Sequence, residues 1–308
     1  MMPTNRDGPH EQQPTYYFTL ILFMIACSFL VNPERAAAAE SAFDQHADRA
    51  IRSYIKQTGG DVTLVYRDLV TGAEYTIRPN QPRRAASTIK LPLVMYVMAR
   101  ASAHQLDLDQ QLTYRGSDYT AGSGVIQYRP VGSRYSIREL IQKAVVYSDN
   151  IAFVMLKNYV GRENFNGYIR QIGGKYAYPG GANLTSARDL TTYIVKLYHD
   201  AKQDDNARTL IDLLEHTKYN ETIPAGVKWS PVAHKAGWMP NVGVSNDVAI
   251  IYDRYPYTLA IMTGGYTYET AKIVIAHLAE LTGEYHRRDY SMRNRFFPAT
   301  GRGGPRAF

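Results

Sequence analysis

The sequence predicts a chain of the α/β class, of the α+β type: an antiparallel sheet flanked by terminal helices, plus an inserted all-helical subdomain. Three observations predict it. Strand patterns occur early, at 61–80, and return late, at 227–266. Helical spacing fills 87 to about 216 between them, and helical patterns also stand near both ends, at 42–59 and 269–283. Because strands and helices are grouped rather than alternating, the early and late strands are expected to share one sheet.

The elements before the helical block are a helix and two strands. Residues 42–59 place apolar side chains at helical spacing and end in glycine, which is typical of a helix C-terminus. Residues 61–80 predict two strands around a "VTG" turn. The block itself consists of helical segments separated by Gly and Asn, among them "IRELIQKAVVYS", "NIAFVMLKNYVG" and "SARDLTTYIVKLYHD".

Three strands and a helix follow the block. The strand patterns are "VKWSPVAHKAGW", "NDVAIIYDRY" and "YTLAIMTGGY", and the last two predict a hairpin across "DRYPY". "ETAKIVIAHLAELTG" then predicts the closing helix.

The N-terminal segment carries a targeting pattern. Residues 16–31 are an uncharged apolar run, followed by "NPERAAAAE". This is typical of a secretory signal, so residues 1–39 are predicted to be a signal peptide, with a retained membrane anchor as the alternative. Cys27, the one cysteine, lies within it, which leaves no thiol for disulfides, metal ligation or catalysis in the mature chain. We expect an extracytoplasmic protein, secreted or associated with the cell envelope.

The basic charge of the chain is concentrated at its end. The formal net charge is +7, and residues 286–308 hold six arginines against one aspartate, a net +5. We expect 40–285 to be the folded domain and 286–308 a basic disordered tail. The tail is either simply solvated or in weak contact with anionic wall polymer or membrane. The main domain gives no indication of nucleic-acid binding, and we expect a monomer.

The first candidate for chemistry is "AASTIKLPLVMYV" (85–97), which holds Ser87 and Lys90. Three residues make almost one helical turn, so the hydroxyl and the amine share a face. The apolar run behind them predicts a buried helix, at whose N-terminus free N–H groups surround the serine. A lysine against apolar walls has a lowered pKa and can act as a base. The alternative is an N-cap serine with a surface lysine.

Two further polar groups interrupt apolar patterns. Ser148, Asp149 and Asn150 stand inside "VVYSDNIAFVML", where an apolar helix carries polar groups only at a cost. The alternative is a helix break with a new N-cap. Lys235 and Gly237 lie in the strand "VAHKAGWMP", where a glycine allows a substrate backbone to approach. The alternative is an edge strand protected by a lysine.

The order Ser-x-x-Lys, Ser-Asp-Asn, Lys-small-Gly resembles that of the penicillin-recognising serine enzymes, and among them the class A β-lactamase type. The segment "GSGVIQYRPVGSRYSIRELIQKAVVYSDN" is similar to the family's Gly-rich stretch and to its helix leading into Ser-Asp-Asn. The resemblance covers roughly 40–285 and implies a β-lactamase-like catalytic domain.

The resemblance also implies roles. Ser87 would be the nucleophile, Lys90 the base that takes its proton, and Ser148 the relay to the departing nitrogen. The backbone N–H groups of Ser87 and Trp238 would form the oxyanion hole. The implied substrate-binding residues are Asn150 for the acyl side chain, Lys235 for the carboxylate, Gly237 and Trp238. No metal or cofactor is implied, and the histidines show no metal-ligand spacing.

Two departures from the family bear on function. The stretch "IRQIGGKYAYPGGANLTSARDL", where β-lactamases carry a water-activating glutamate, holds no Glu, and Asp189 is expected at the start of the next helix. The middle residue of the third motif is Ala236 instead of a hydroxyl residue that binds the substrate carboxylate. One hydrogen bond to a charged group contributes about 1.5–3 kcal/mol, so carboxylate binding should be weakened.

Three hypotheses remain open. The first is a serine hydrolase of the class A β-lactamase type that opens β-lactam-like amides through a Ser87 acyl-enzyme. The second is a penicillin-binding D-Ala-D-Ala peptidase or a cell-wall amidase, acting on wall peptide and needing no glutamate. The third is a non-catalytic wall-binding module of the same fold. The lysine pair favours the first two, because a binding module needs no such pair.

Overall fold

A computed structural model of the protein describes residues 45–176, 178–179 and 182–296. The segment predicted to be a signal peptide lies outside these residues. Within the described ranges, no helix combines the length and the hydropathy needed to cross a membrane.

The described chain runs helix, two strands, a mainly helical block, three strands, helix. Its α-helices are α1 (Gln45–Thr58), α2 (Lys90–Ser102), α3 (Ile137–Val146), α4 (Asn150–Val160), α5 (Arg162–Gln171), α6 (Ala187–Asp200), α7 (Asp205–Glu215), α8 (Ile223–Gly226) and α9 (Tyr268–Phe296). Its strands are β1 (Asp61–Asp68), β2 (Glu74–Ile77), β3 (Arg83–Arg84), β4 (Gln111–Thr113), β5 (Arg134–Ser136), β6 (Leu184–Thr185), β7 (Val232–Met239), β8 (Val244–Ile251) and β9 (Tyr257–Gly264).

One five-stranded sheet organises the molecule, in the order β2-β1-β9-β8-β7. Every pairing is antiparallel, and Leu64 of β1 lies opposite Ile261 of β9. All eight residues of β8 are buried, which is expected of a strand covered on both faces. The early and late strands therefore share one sheet, as predicted, and β7 lies at its edge.

Two apolar cores lie on the two faces of the sheet. The larger joins β1, β8 and β9 to the helical subdomain and includes Leu93, Leu140, Leu156 and Phe165. The smaller packs α1 and α9 on the other face, with Ile51 and Leu278 fully buried. The predicted arrangement of terminal helices on the sheet and an inserted helical block is confirmed.

The predicted boundary between domain and tail at 285/286 is wrong for residues 286–296. These residues continue α9, which ends at Phe296. His286 and Tyr290 are buried, and each has a polar partner on β1. The Tyr290 hydroxyl donates to Asp68 Oδ2 at 2.5 Å, and His286 Nδ1 lies 2.7 Å from the Tyr66 hydroxyl. The remaining residues assigned to the tail, 297–308, lie outside the described residues.

Candidate active site

The three sequence motifs meet in space at the edge of the sheet. Ser87 lies in a 3₁₀ turn, Ala86–Ile89, which runs directly into α2. Ser148 occupies the turn between α3 and α4, and Lys235 lies on β7. Ser87 is partly exposed, whereas Lys90, Ser148 and Lys235 are buried, so one hydroxyl faces solvent above a buried polar cluster.

The Lys90 amine lies at the centre of this cluster. Its Nζ lies 3.1 Å from Ser87 Oγ, 3.2 Å from Ser148 Oγ and 2.7 Å from Asn150 Oδ1. It also donates to the Ser148 carbonyl oxygen. A neutral amine has two hydrogens, which the Ser148 carbonyl and the Asn150 oxygen can accept. Its lone pair is then available to accept a hydrogen bond from a serine hydroxyl.

The surroundings of Lys90 favour that neutral form. Burial lowers the pKa of Lys90 well below its ordinary value, the positive charge of Lys235 lowers it further, and Asp149 opposes the shift. Lys90 is therefore a buried amine whose protonated form is disfavoured, and its role as a base beside Ser87 stays a prediction.

Lys235 connects β7 to the same cluster. Its Nζ donates to Ser148 Oγ at 3.1 Å and to the Ala236 carbonyl at 2.8 Å. Burial lowers the pKa of Lys235 to about 8, against the opposing charge of Asp247. Ser148 Oγ thus lies between two amines, a geometry that suits a proton relay.

The turn that carries Ser148 adopts an unusual conformation. Ser148 has a φ of 52, in degrees, which lies in the left-handed region. That region costs of order 1–3 kcal/mol for a residue other than glycine. Ser123 Oγ donates to the Ser148 carbonyl at 2.7 Å. Asp149 caps α4 through the N–H groups of Ile151 and Ala152, and its other oxygen accepts from the N–H groups of the 125–126 loop. This polar triplet is therefore both a helix N-cap and part of the site.

Asn150 joins the site to the glycine-rich loop. Its Nδ2 donates to the Ala121 carbonyl at 2.9 Å while its Oδ1 accepts from Lys90. Gly124 has a positive φ, and a Cβ there would lie 2.3 Å from the Asp149 carboxyl carbon. The glycines of "AGSG" therefore allow this loop to lie directly on the Ser-Asp-Asn turn.

Gly237 brings β7 against the backbone of the nucleophile turn. A Cβ on Gly237 would lie 2.4 Å from Ser87 N and 2.7 Å from Thr88 N. Asn246, opposite Gly237 on β8, donates to the Arg84 and Ala85 carbonyls at 2.9 and 3.1 Å. Trp238 directly follows Gly237 along the edge strand.

The segment between α5 and α6 differs from a β-lactamase ω-loop as the sequence indicated. Residues 172–186 hold no acidic residue. Asp189 lies in the first turn of α6, where its Oδ2 accepts from the N–H groups of Lys175 and Tyr176 at 3.0 and 2.9 Å. Burial raises the pKa of Asp189, and these hydrogen bonds oppose the shift. Asp189 thus holds the segment in place.

Three contributors were not identified from the sequence: Ser123, Asn183 and Asn246. Asn183 Nδ2 donates to the Ala86 carbonyl at 3.2 Å. Ala86 has a positive φ, so this amide supports a strained residue beside the nucleophile. The polar residues of a buried strand were a signal for Asn246, since such groups require partners. Ser123 and Asn183 lie in polar loops and gave no comparable signal.

The chain is similar to known proteins in sequence and in fold. The β-lactamase ROB-1 of Haemophilus influenzae is 25% identical over 278 residues, which cover 81% of this chain and 90% of that protein. Among solved structures, PBP-A matches with a TM-score of 0.73 at 22% identity, over 79% of this chain and 97% of its own. A variant of PBP-A, solved as an acyl-enzyme complex with penicillin G, matches with a TM-score of 0.72 at 24% identity. The match covers 79% of this chain and 96% of that one. An ancestral class A β-lactamase matches with a TM-score of 0.71 at 24% identity. The match covers 77% of this chain and 99% of that one.

These similarities define the fold of the protein, which is shared by PBP-A and the class A β-lactamases. Residues 46–286, which are most of the chain, match the Beta-lactamase enzyme family. The chain therefore belongs to that family.

Proposed function

We propose that the protein is a serine hydrolase that opens β-lactam-like amides through an acyl-enzyme on Ser87. The observation that carries the proposal is the buried Lys90 amine, 3.1 Å from Ser87 Oγ and held between Ser148 and Asn150. A lysine that serves only as surface decoration would be solvated, whereas this one is 2% exposed.

In the proposed acylation, neutral Lys90 accepts the Ser87 proton as Oγ attacks the substrate carbonyl carbon. The N–H groups of Ser87 and Trp238 stabilise the oxyanion. When the C–N bond breaks, the nitrogen receives a proton from the Ser148 hydroxyl, and Lys90 passes the proton it took from Ser87 to Ser148. The products are a Ser87 ester and a freed amine, and Lys90 is again neutral. Penicillin-G acylation of the PBP-A variant supports a reaction of this kind on this fold.

We propose that deacylation is slow. Hydrolysis of the ester needs a group that activates water, and the 172–186 segment supplies no carboxylate. A persistent acyl-enzyme favours the second candidate, a D-Ala-D-Ala peptidase or cell-wall amidase acting on wall peptide outside the cytoplasm. A non-catalytic wall-binding module is disfavoured, because two buried amines around a serine are costly to maintain without a reaction.

Intact-mass spectrometry during incubation with a penicillin and with a chromogenic cephalosporin tests the proposal. We expect an adduct of the antibiotic's mass on the parent protein, persisting for many minutes, and none on Ser87→Ala. Rapid antibiotic loss without an adduct would instead indicate efficient hydrolysis and overturn the slow-deacylation proposal. Full labelling of Ser87→Ala would overturn the site assignment.

Lys90→Ala separates the base from the nucleophile. If Lys90 takes the proton, its loss should slow labelling by about 10²–10⁴-fold, the usual contribution of general base catalysis. Labelling at the parent rate would contradict the role of Lys90. Lys196→Ala provides a matched control, since Lys196 is a partly exposed lysine on α6 whose amine pairs with Asp200 at 2.9 Å.

A further inference from the structure

Three aromatic side chains form a cluster at the end of β7, beside the nucleophile. The Trp238 ring lies 4.7 Å from that of Tyr219, nearly edge-on, and 5.4 Å from that of Tyr268, centroid to centroid. We call Tyr219, Trp238 and Tyr268 the ring cluster. All three are partly exposed, and Trp238 directly follows Gly237, whose backbone lies against Ser87. The cluster therefore offers an aromatic surface one residue from the site.

A buried network fixes the loop that carries Tyr219. His234 of β7 lies 2.7 Å from Thr217 Oγ1 and 3.0 Å from Asn220 Oδ1, through its Nε2. Its Nδ1 lies 3.0 Å from both oxygens of Asp247, and Asp247 also accepts from Thr222 at 2.6 Å. Tyr219 is thus held between anchored neighbours, so little conformational entropy is lost when a ligand stacks on it.

The charges around the ring cluster do not favour an anion. Burial and the negative charge of Glu221 raise the pKa of both Tyr219 and Tyr268, so both phenols are neutral at ordinary pH. Lys272 Nζ lies 4.7 Å from the centre of the Tyr268 ring, but it pairs with Glu269 at 2.8 Å.

The third motif is likewise a weak anchor for a carboxylate. The Ala236 side chain cannot donate a hydrogen bond. Lys235 is only 1% exposed, and its amine already donates to Ser148 Oγ and to the Ala236 carbonyl. A substrate carboxylate above β7 would therefore gain less here than at a site with a hydroxyl in the middle position.

We infer that the ring cluster selects acyl donors whose leaving group carries a neutral aromatic ring in place of a carboxylate. This inference rests on the proposed function, since it names the substrate class of the Ser87 site. Successive side chains of a strand point to opposite faces, so Trp238 shares a face of β7 with Ala236, the position at which the family binds the substrate carboxylate. A ring in the leaving group would stack on the cluster while the scissile carbonyl lies at Ser87.

Three thioesters with the same phenylacetylglycyl acyl group test the inference. Their leaving groups are thioglycolate, its methyl ester and its benzyl ester. Ser87 Oγ attacks the thioester carbon, the C–S bond breaks, and the departing sulfur takes up the proton removed from Ser87 as free thiol, which a colorimetric thiol reagent measures. We expect the benzyl ester to acylate Ser87 at least about tenfold faster than thioglycolate, with the methyl ester between them.

Variants assign the preference to the rings. Tyr219→Leu should slow the benzyl ester about tenfold while changing the thioglycolate rate by less than about threefold, because it removes a ring of the cluster and no group of the Ser87 site. Tyr268→Leu should act in the same direction, and serves if Tyr219→Leu does not fold. Trp229→Ala is the control, since Trp229 is an aromatic residue outside the ring cluster that packs against Arg287.

The outcomes are distinct. A parent protein that prefers thioglycolate, or cluster variants that slow all three thioesters equally, would overturn the inference while leaving the Ser87 acyl-enzyme intact. Thiol release no faster than with Ser87→Ala, for all three thioesters, would overturn the proposed function and the inference together.

Discussion

Gly237 lies so close to Ser87 that a single added methyl group would reach 2.4 Å from the Ser87 amide nitrogen. The neighbouring Thr88 nitrogen would lie 2.7 Å from the same carbon. Both contacts are with backbone atoms, which cannot rotate away as a side chain can. The separation of β7 from the nucleophile turn is therefore set by the absence of a side chain at position 237.

Gly237→Ala should slow acylation about 100-fold while leaving the fold intact. The methyl group must push β7 away from the nucleophile turn, and a misplacement of about 1 Å at a reacting centre costs about 100-fold in rate. The second-order rate of labelling by a fluorescent penicillin measures the effect, with circular dichroism to check folding.

Gly167→Ala on α5 is the control, because a Cβ there meets no atom within 4 Å. It should label at the parent rate. Unchanged labelling of Gly237→Ala would show that the two backbones need not be in contact for acylation.

The acylation rate should pass through a maximum as pH is varied. It should rise with pH as the Lys90 ammonium loses its proton and becomes a base. Burial and the charge of Lys235 both lower the pKa of Lys90. It should fall again near pH 8, because the pKa of Lys235 is about 8 and its positive charge aids proton delivery and substrate binding. Labelling rates measured from acidic to alkaline pH, in buffers of one ionic strength, give both limbs.

Lys235→Arg identifies the group behind the alkaline limb. Arginine stays protonated throughout this range, since its pKa lies above about 12. The alkaline limb should therefore disappear, whatever the variant's overall rate. A limb that stays in place would mean that another group titrates there.

The sequence singled out the residues that meet at the candidate site more completely than the residues that support them, for a physical reason. Ser87, Lys90 and Ser148 were singled out because each stands beside or inside an apolar pattern and because the order of the three motifs resembles that of a known family. Asn246 and Asn183 act on backbone atoms of residues 84–86 from 97 to 162 positions away. Such contacts depend on the order of strands in the sheet and on loop paths, which local periodicity does not encode.

The C-terminal helix shows the same limit. Arginine-rich composition suggested a tail, yet Leu278, Thr282, His286 and Tyr290 recur every fourth residue and are all buried. That stripe was a signal for a continuing helix face. Its polar members gave no clear signal, because His286 Nδ1 and the Tyr290 hydroxyl find their partners on β1, at sequence separations of 220 and 222.

Ser148→Ala should slow amide substrates far more than aryl esters. Ser148 Oγ lies 3.2 Å from Lys90 Nζ and 3.1 Å from Lys235 Nζ, on the proposed path of the proton to the departing nitrogen. An amine must be protonated to leave, whereas a phenolate leaves without a proton. We expect a loss of about 10²–10⁴-fold with a penicillin and less than about tenfold with phenyl phenylacetate.

Burst kinetics under identical conditions compare the two substrates. Ser123→Ala is the useful companion variant, because it weakens the support of the Ser148 carbonyl but keeps the Ser148 hydroxyl. Its effect should be similar on both substrates. Equal losses of both substrates in Ser148→Ala would argue against a relay and for a purely structural role.

Removal of residues 286–308 should destabilise the folded domain more than removal of 297–308, because it also takes away buried residues of α9. The first deletion removes two buried side chains, His286 and Tyr290. Burial of a ring the size of phenylalanine contributes about 1.5–3 kcal/mol. The deletion also removes the stacking of Tyr290 on Tyr255, at 3.7 Å between ring centres, and leaves Asp68 without the Tyr290 hydroxyl. Urea unfolding should give a free energy of unfolding at least about 1.5 kcal/mol lower for the chain that lacks 286–308 than for the chain that lacks 297–308, which is the smaller estimate for the Tyr290 ring alone. Tyr290→Phe isolates the hydrogen bond and should cost about 1–3 kcal/mol, since a buried carboxylate loses a donor. Equal stability of the two truncated chains would mean that the last part of α9 contributes nothing to the fold.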